Sequence, residues 1–210
     1  MERGAVRSEA PFSELLAGHL EGEPLLRMVR YAELLETWSA RHNLIRFANR
    51  RELVERHLLE ALSGAHLVEG RGTLLDIGSG AGLPGVPLLV AGPGWRGVLL
   101  EPRQKRWAFL KMVIRELGLD AEAVDRRYEQ LVADRGFDLV TMRAVGGHAA
   151  VLDWARSRLA TGGGVALWTT EEGEREVAEK GGWRVLSWPA VGLERGRLVY
   201  LEPELSGAAG

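Results

Sequence analysis

Cysteine is absent from this chain of 210 residues, which excludes a disulfide framework and any thiolate-bound metal. Long apolar runs are missing as well. None reaches the ~18 residues that a membrane-spanning helix needs. The opening stretch, Met1 to Glu14, mixes charges with Ala and Gly and lacks the apolar core of a secretory signal. A cytoplasmic location is therefore the default expectation. Nor does charge of one sign dominate. The 27 Lys and Arg residues stand against 29 Asp and Glu, a formal net charge of -2. Binding to nucleic acid would have to rely on a local basic patch. His19, His42, His66 and His148 show no metal-ligand spacing, so no metal is expected.

Apolar residues make up 46% of the chain, enough for a sizeable core in one domain with a small helical addition. The first ~20 residues read as irregular. Leu25, Val29, Ala32, Leu35 and Trp38 then follow helical spacing, and the same spacing returns from Leu53 to Ala65. From Thr73 the pattern changes to short apolar runs alternating with amphipathic ones. Strands are expected at Leu74–Ile77, Val98–Glu101, Ala121–Val124, Phe137–Met142 and Val165–Trp168. Helices are expected from Pro84, from Trp107 to a Gly118 stop, over Val151–Leu159 and over Glu171–Lys180. Trp183–Trp188 and Arg197–Leu201 read as a terminal hairpin. Such alternation predicts an α/β fold with a mainly parallel sheet and helices on both faces. The division is an N-terminal helical extension over 1–72 and a ligand-binding domain over 73–210, packed as one unit.

The segment Asp76-Ile77-Gly78-Ser79-Gly80-Ala81-Gly82-Leu83-Pro84-Gly85 follows a strand and opens a helix. Its glycines allow a sharp turn and close approach of a ligand, and the helix start offers free N–H groups. No Gly-Lys-Ser/Thr occurs, which excludes a P-loop. A dinucleotide fingerprint GxGxxG fails from Gly78, where Leu83 stands in the third glycine position. It survives as the shifted match Gly80-Gly82-Gly85. The pattern Asp-x-Gly-x-Gly-x-Gly fits better and resembles the first motif of Rossmann-like methyltransferases. Glu101 closes the second strand, where a carboxylate can accept hydrogen bonds from both hydroxyls of a ribose. That ribose is common to NAD and S-adenosylmethionine.

Further residues make the resemblance specific. They are Asn43-Leu44, His57 within Arg56-His57-Leu58-Leu59-Glu60, the continuation Leu83-Pro84-Gly85-Val86-Pro87, Leu99-Leu100-Glu101, Lys105-Arg106, Phe109-Leu110, Glu116-Leu117, Arg127-Tyr128-Glu129, Phe137-Asp138 and Arg143-Ala144. In order and spacing, from about Leu25 to Leu201, the chain resembles the bacterial small-subunit ribosomal RNA guanine-N7 methyltransferase family, also known as the glucose-inhibited division protein B family. The resemblance implies a class I Rossmann-like methyltransferase with a seven-stranded sheet, S-adenosylmethionine as cofactor, and small-subunit ribosomal RNA or the ribosomal particle as partner. It implies that Gly78 and Leu83 line the cofactor, with Asp76, Gly80 and Pro102 in the same site. Glu101 would hold the ribose, and Tyr128 and Glu129 would lie beside the adenine. Arg143 would reach cofactor and target as the catalytic residue. Lys105, Arg106, Arg127 and Trp168 would meet RNA. The chain departs from the family pattern at several positions. Glu101 replaces Asp, Glu60-Ala61 replaces Asp-Ser, Asn43-Leu44-Ile45 replaces Asn-Leu-Thr, and Trp168-Thr169 replaces Lys-Gly.

N7 of guanine carries a free lone pair, so alignment rather than proton removal is the expected catalytic task. A flipped target base would be held by Arg143 or by Trp168. Trp38, Trp107 and Trp154 are expected in the core, His57 as a hydrogen-bonded interface residue, and Asp125, Asp134 and Asp138 as turn formers. The sequence also permits a methyltransferase for another substrate, a nicotinamide-dependent oxidoreductase, and a binding module without turnover.

Overall fold

The computed structural model describes residues 9–132, 136–143, 148–191 and 195–204. Asp134 and Ala144 lie outside them. Four helical segments come first: α1 (Phe12–Leu16), α2 (Gly22–His42), α3 (Arg50–Leu53) and, after a π-turn over Val54–Leu58, α4 (Leu59–Leu62). Strands β1 (Gly72–Ile77), β2 (Trp95–Leu100), β3 (Ala121–Val124), β4 (Phe137–Arg143) and β5 (Leu159–Thr170) follow. They alternate with α5 (Gly85–Ala91), α6 (Gln104–Leu117) and α7 (His148–Arg156). The chain finishes with α8 (Glu171–Lys180), β6 (Trp183–Pro189) and β7 (Gly196–Pro203).

The seven strands lie in the order β3-β2-β1-β4-β5-β7-β6. Strands β1 to β5 pair in parallel, whereas β7 runs antiparallel between β5 and β6. The expected parallel sheet and terminal hairpin are both present. Crossovers put helices on both faces, and strand periodicity sorts the side chains between two cores. Leu74, Leu99, Leu139, Ala166 and Trp168 join Tyr31, Leu58 and Phe109 in one. Leu75, Leu100, Val140, Val165 and Leu167 join Val151, Leu152 and Val177 in the other. The N-terminal helices therefore cover the face onto which Asp76, Thr141 and Arg143 project.

Three local expectations are corrected. The opening is not irregular throughout, because Phe12 and Leu16 are buried against the N-terminal helices. The helix expected over Leu53–Ala65 is broken by the π-turn, whose extra residue per turn redirects side chains and often marks functional segments. The helix expected to reach Leu159 ends at Arg156, and Leu159 already pairs with Phe137 in the sheet. The apolar spacing of Leu152, Ala155 and Leu159 suits a helix. Partners in β4 and the Gly162-Gly163-Gly164 stretch decide for a strand. The Tyr200 ring lies so close to Gly164 that a Cβ there would be 2.4 Å from it.

Candidate active site

The site is built at the C-terminal edge of the parallel strands, where β1 turns into the glycine loop. Gly78, Gly80 and Gly82 have φ of +70°, +59° and +95°, a region that side chains with a Cβ disfavour. The loop is tied down from below and from the side. The Ser79 amide donates to the Leu100 carbonyl (2.8 Å), and the Ser79 hydroxyl donates to the Asp76 carbonyl (3.0 Å). Tyr31 of α2, fully buried, donates its hydroxyl to the Ala81 carbonyl at 2.7 Å. A Cβ on Gly82 would sit 2.9 Å from that same Tyr31 oxygen.

Asp76 is fully buried. Its Oδ1 accepts from the Thr141 hydroxyl (2.8 Å), and its Oδ2 accepts from the Gly85 amide (3.3 Å). Burial pushes its carboxyl up to about 6, against hydrogen bonds that pull it down. Asp76 thus braces the loop from beneath, which corrects the expectation that it contacts a cofactor directly. Thr141, its partner, went unread in the sequence. The signal was a polar residue inside the apolar run Leu139–Met142, in register with Asp76 on the adjacent strand.

Beside the loop lies a cleft of about 570 Å3, lined in part by Gly78, Pro102, Arg103, Arg127, Tyr128 and Glu129. Most ligand sites fall in this size range. Pro102, Tyr128, Glu129 and the glycine loop, far apart in sequence, are brought together here. Tyr128 is steadied by the Trp154 ring, edge-on at 5.2 Å. Glu101 lies under the same edge with only 5% of its side chain exposed. It accepts from the Gly80 amide (3.1 Å, Oε2) and the Arg103 amide (2.8 Å, Oε1). A carboxylate has about four acceptor positions, so two hydroxyls can still be received. Leu83 is buried at the end of the loop.

Arg143, last in β4, projects onto the face covered by the N-terminal helices. Its Nη2 lies 2.6 Å from Glu60 Oε2 and 3.1 Å from His57 Nδ1. His57 in turn donates from Nε2 to the Arg46 carbonyl (3.2 Å). The arginine can only donate, so His57 accepts at Nδ1 and carries its proton on Nε2. Burial, then the nearby Arg143 charge, lowers the His57 pKa and keeps the ring neutral. Burial raises the Glu60 carboxyl while Arg143 opposes the shift. Arg143 Nη1 is buried and meets no acceptor among the described residues. The expected interface role of His57 fits this geometry. Glu60, quoted in the motif without a role, turns out to be the ionic partner.

Trp168 is corrected outright as an RNA contact. It is 3% exposed and donates Nε1 to the Glu60 carbonyl at 2.7 Å. Its ring packs against Gly64, where a Cβ would come within 2.6 Å. A ring filling that space cannot stack on a nucleobase. Trp38 and Trp154 are half-buried and pack at core margins, whereas Trp107, expected in the core, is half-buried outside both cores and donates to the Ala123 carbonyl (2.9 Å). Asp138, expected as a turn former, lies instead within β4 and accepts from the Thr73 amide and hydroxyl at the opposite end of the sheet, a structural bond.

Two basic stretches separate clearly. Within Arg41–Arg56, Arg50, Arg51 and Arg56 pair with Glu36, Glu55 and Glu52. At the start of α6, Lys105 and Arg103 have no ion-pair partner among the described residues, and Arg106 approaches Glu101 only at 3.9 Å. Arg103, Lys105 and Arg106 line a second cleft of about 270 Å3 with Trp38 and His42. Arg126 and Arg127 continue the rim of the first cleft. No group of three His, Cys, Asp or Glu that could hold a metal occurs among the described residues. Nor is any described helix long and apolar enough to cross a membrane.

The order with an antiparallel β7 inserted between β5 and β6 differs from the 3-2-1-4-5-6 order of dinucleotide-binding domains. With the glycine loop it defines a class I, Rossmann-like methyltransferase fold. A solved glycopeptide N-methyltransferase MtfA complexed with S-adenosylmethionine shares it, with TM-score 0.56 and 16% identity over 70% of this chain and 87% of that one. Residues 25–183 match the model of the rRNA small subunit methyltransferase G family. The ribosomal RNA small subunit methyltransferase G of Methylococcus capsulatus is 36% identical over 184 residues, 87% of each chain. That of Laribacter hongkongensis is 36% identical over 155 residues, 73% of this chain and 74% of its own. The chain belongs to this family.

Proposed function

We propose that this chain methylates N7 of a guanine in small-subunit ribosomal RNA, using S-adenosylmethionine. One observation carries the reading: in a chain of this family, a braced glycine loop and a buried carboxylate with spare acceptor positions flank a cleft of nucleoside size.

When bound, S-adenosylmethionine supplies an electrophilic methyl group on a positively charged sulfur. The chain's residues do the rest by binding and alignment. Gly78 and Gly80 bring loop backbone against the cleft. Glu101 receives the ribose hydroxyls, and Pro102, Tyr128 and Glu129 border the adenine. Arg143 reaches the target base with its free donor edge. Lys105, Arg106 and Arg127 meet phosphates, a sequence-independent attraction that holds RNA over the cleft. No general base is required, because the N7 lone pair is already available. Orientation of reactants can be worth about 7–11 kcal/mol in favourable cases.

The test is incubation of the purified protein and S-adenosylmethionine with small-subunit particles and with naked small-subunit RNA, followed by mass-spectrometric mapping. The expected result is 7-methylguanine at one position. Methylation only at other atoms, or only of small molecules, would refute the reading.

A further inference from the structure

Arg143 poses an electrostatic problem for the chemistry just described. As N7 attacks, its lone pair forms the new N–C bond while the S–C bond breaks and its electrons stay on sulfur. No proton leaves, so the purine ring gains the positive charge that sulfur loses. A bare guanidinium donating to the guanine O6 would identify the base, because adenine presents a donor there instead. The same guanidinium would oppose the charge growing on the ring. Repulsion of this kind is strong in a site shielded from water.

The structure carries an answer. The carboxylate of Glu60, with 4% of its side chain exposed, lies 2.6 Å from Arg143 Nη2. His57 takes a second contact on the same nitrogen at 3.1 Å and adds no charge. Both contacts therefore fall on Nη2, the one to Glu60 an ion pair without hydrogen-bond geometry, while Nη1 is buried and meets no acceptor among the described residues. Glu60 is itself fixed from behind, since Trp168 donates to its backbone carbonyl at 2.7 Å and Arg143 and Trp168 are register partners on β4 and β5. A long-range packing contact thus holds one carboxylate beside one guanidinium.

We propose that Glu60 is a positioning and charge-cancelling residue: it turns Arg143 into a neutral pair whose Nη1 edge reads guanine O6 without opposing the cation formed at N7. The proposal rests on the guanine-N7 reading above. It assigns the covering helices a part in the chemistry, through Glu60 and His57, in addition to their packing.

The experiment compares wild type with Glu60→Gln and Glu60→Asp at saturating cofactor and RNA. Gln keeps the size and removes the charge, whereas Asp keeps the charge and shortens the arm. Charge cancellation predicts kcat at least tenfold lower for Glu60→Gln, and within about threefold of wild type for Glu60→Asp. A packing role predicts the reverse order. A second readout needs no turnover. RNA carrying 7-methylguanine at the target and unmethylated RNA are titrated onto each protein without cofactor. Glu60→Gln should weaken the methylated RNA at least fivefold more than the unmethylated one. His57→Asn, at a half-buried position, covers the case in which Glu60→Gln does not fold: kcat should fall severalfold with unchanged cofactor affinity. Full activity in Glu60→Gln, or in His57→Asn where Glu60→Gln does not fold, or better activity in Gln than in Asp, would overturn the role while leaving the guanine-N7 reading intact. Absence of any RNA methylation by wild type would overturn both.

Discussion

The hydroxyl of Tyr31 offers the sharpest test of how the helical extension serves the glycine loop. Tyr31→Phe keeps the ring and its packing and deletes one oxygen. That oxygen donates to the Ala81 carbonyl at 2.7 Å inside the core, and no backbone amide takes its place there among the described residues. Leaving a buried acceptor unsatisfied costs about 1–3 kcal/mol. For a chain of this size each kcal/mol moves the thermal midpoint by roughly 2–4 °C, so a loss near the middle of that range lowers the midpoint by about 4–8 °C. The loop also loses a restraint between Gly80 and Gly82, both at positive φ. Because 1.4 kcal/mol corresponds to tenfold in affinity, cofactor binding should weaken by about tenfold. Thermal unfolding and calorimetric titration with S-adenosylmethionine read the two effects. A midpoint within 1 °C of wild type together with unchanged affinity would refute the argument that α2 holds the loop in its binding shape.

Three further outcomes are expected. Burial raises the folded Asp76 carboxyl to about 6 from 3.8, so its contribution is fully present below pH ~4 and is lost as pH rises through about 6. This loss is on the order of 3 kcal/mol, at 1.36 kcal/mol per pKa unit. Denaturant unfolding between pH 4 and 7 should show this fall in wild type and a flatter profile in Asp76→Asn, and equal slopes would contradict it. Trp168→Lys should lower stability by about 3 kcal/mol or more. It empties a buried ring site and places an ammonium there, and a chemical-denaturation midpoint no lower than wild type would reject the core assignment. Lys105→Ala should weaken binding to small-subunit RNA without regard to sequence and reduce the slope of log affinity against log salt by about one. An unchanged slope would remove Lys105 from the RNA face.

Much of the sheet was legible because each strand is short, apolar and punctuated, and because period-two burial is a local property of the chain. The strands expected at Leu74–Ile77 and Phe137–Met142 fell within β1 and β4. The glycine loop was legible for the same reason, since its turn chemistry is written in consecutive residues. What escaped depends on contacts distant in sequence. Trp168 beside β4 looked like a strand-end aromatic free to stack. Only the fold brings Glu60, 108 residues earlier, to its indole N–H. Asp76 looked like a ligand contact because it heads the motif, yet it is fully buried beneath the loop, where Thr141 and Gly85 donate to it. The break in the helix around His57 left no mark in its apolar spacing. The broken turn carries His57, whose ring sits between the Arg46 carbonyl and Arg143, contacts distant in sequence.

The claim on which the rest depends is that the loop and Glu101 receive an adenosine-linked sulfonium. Calorimetric titration of the purified protein with S-adenosylmethionine, and in parallel with NADH, addresses it most directly. One molecule of S-adenosylmethionine bound per chain, with affinity reduced at least tenfold in Glu101→Ala and no heat from NADH, is the predicted result. Binding of NADH alone, or S-adenosylmethionine affinity untouched by the loss of Glu101, would contradict it.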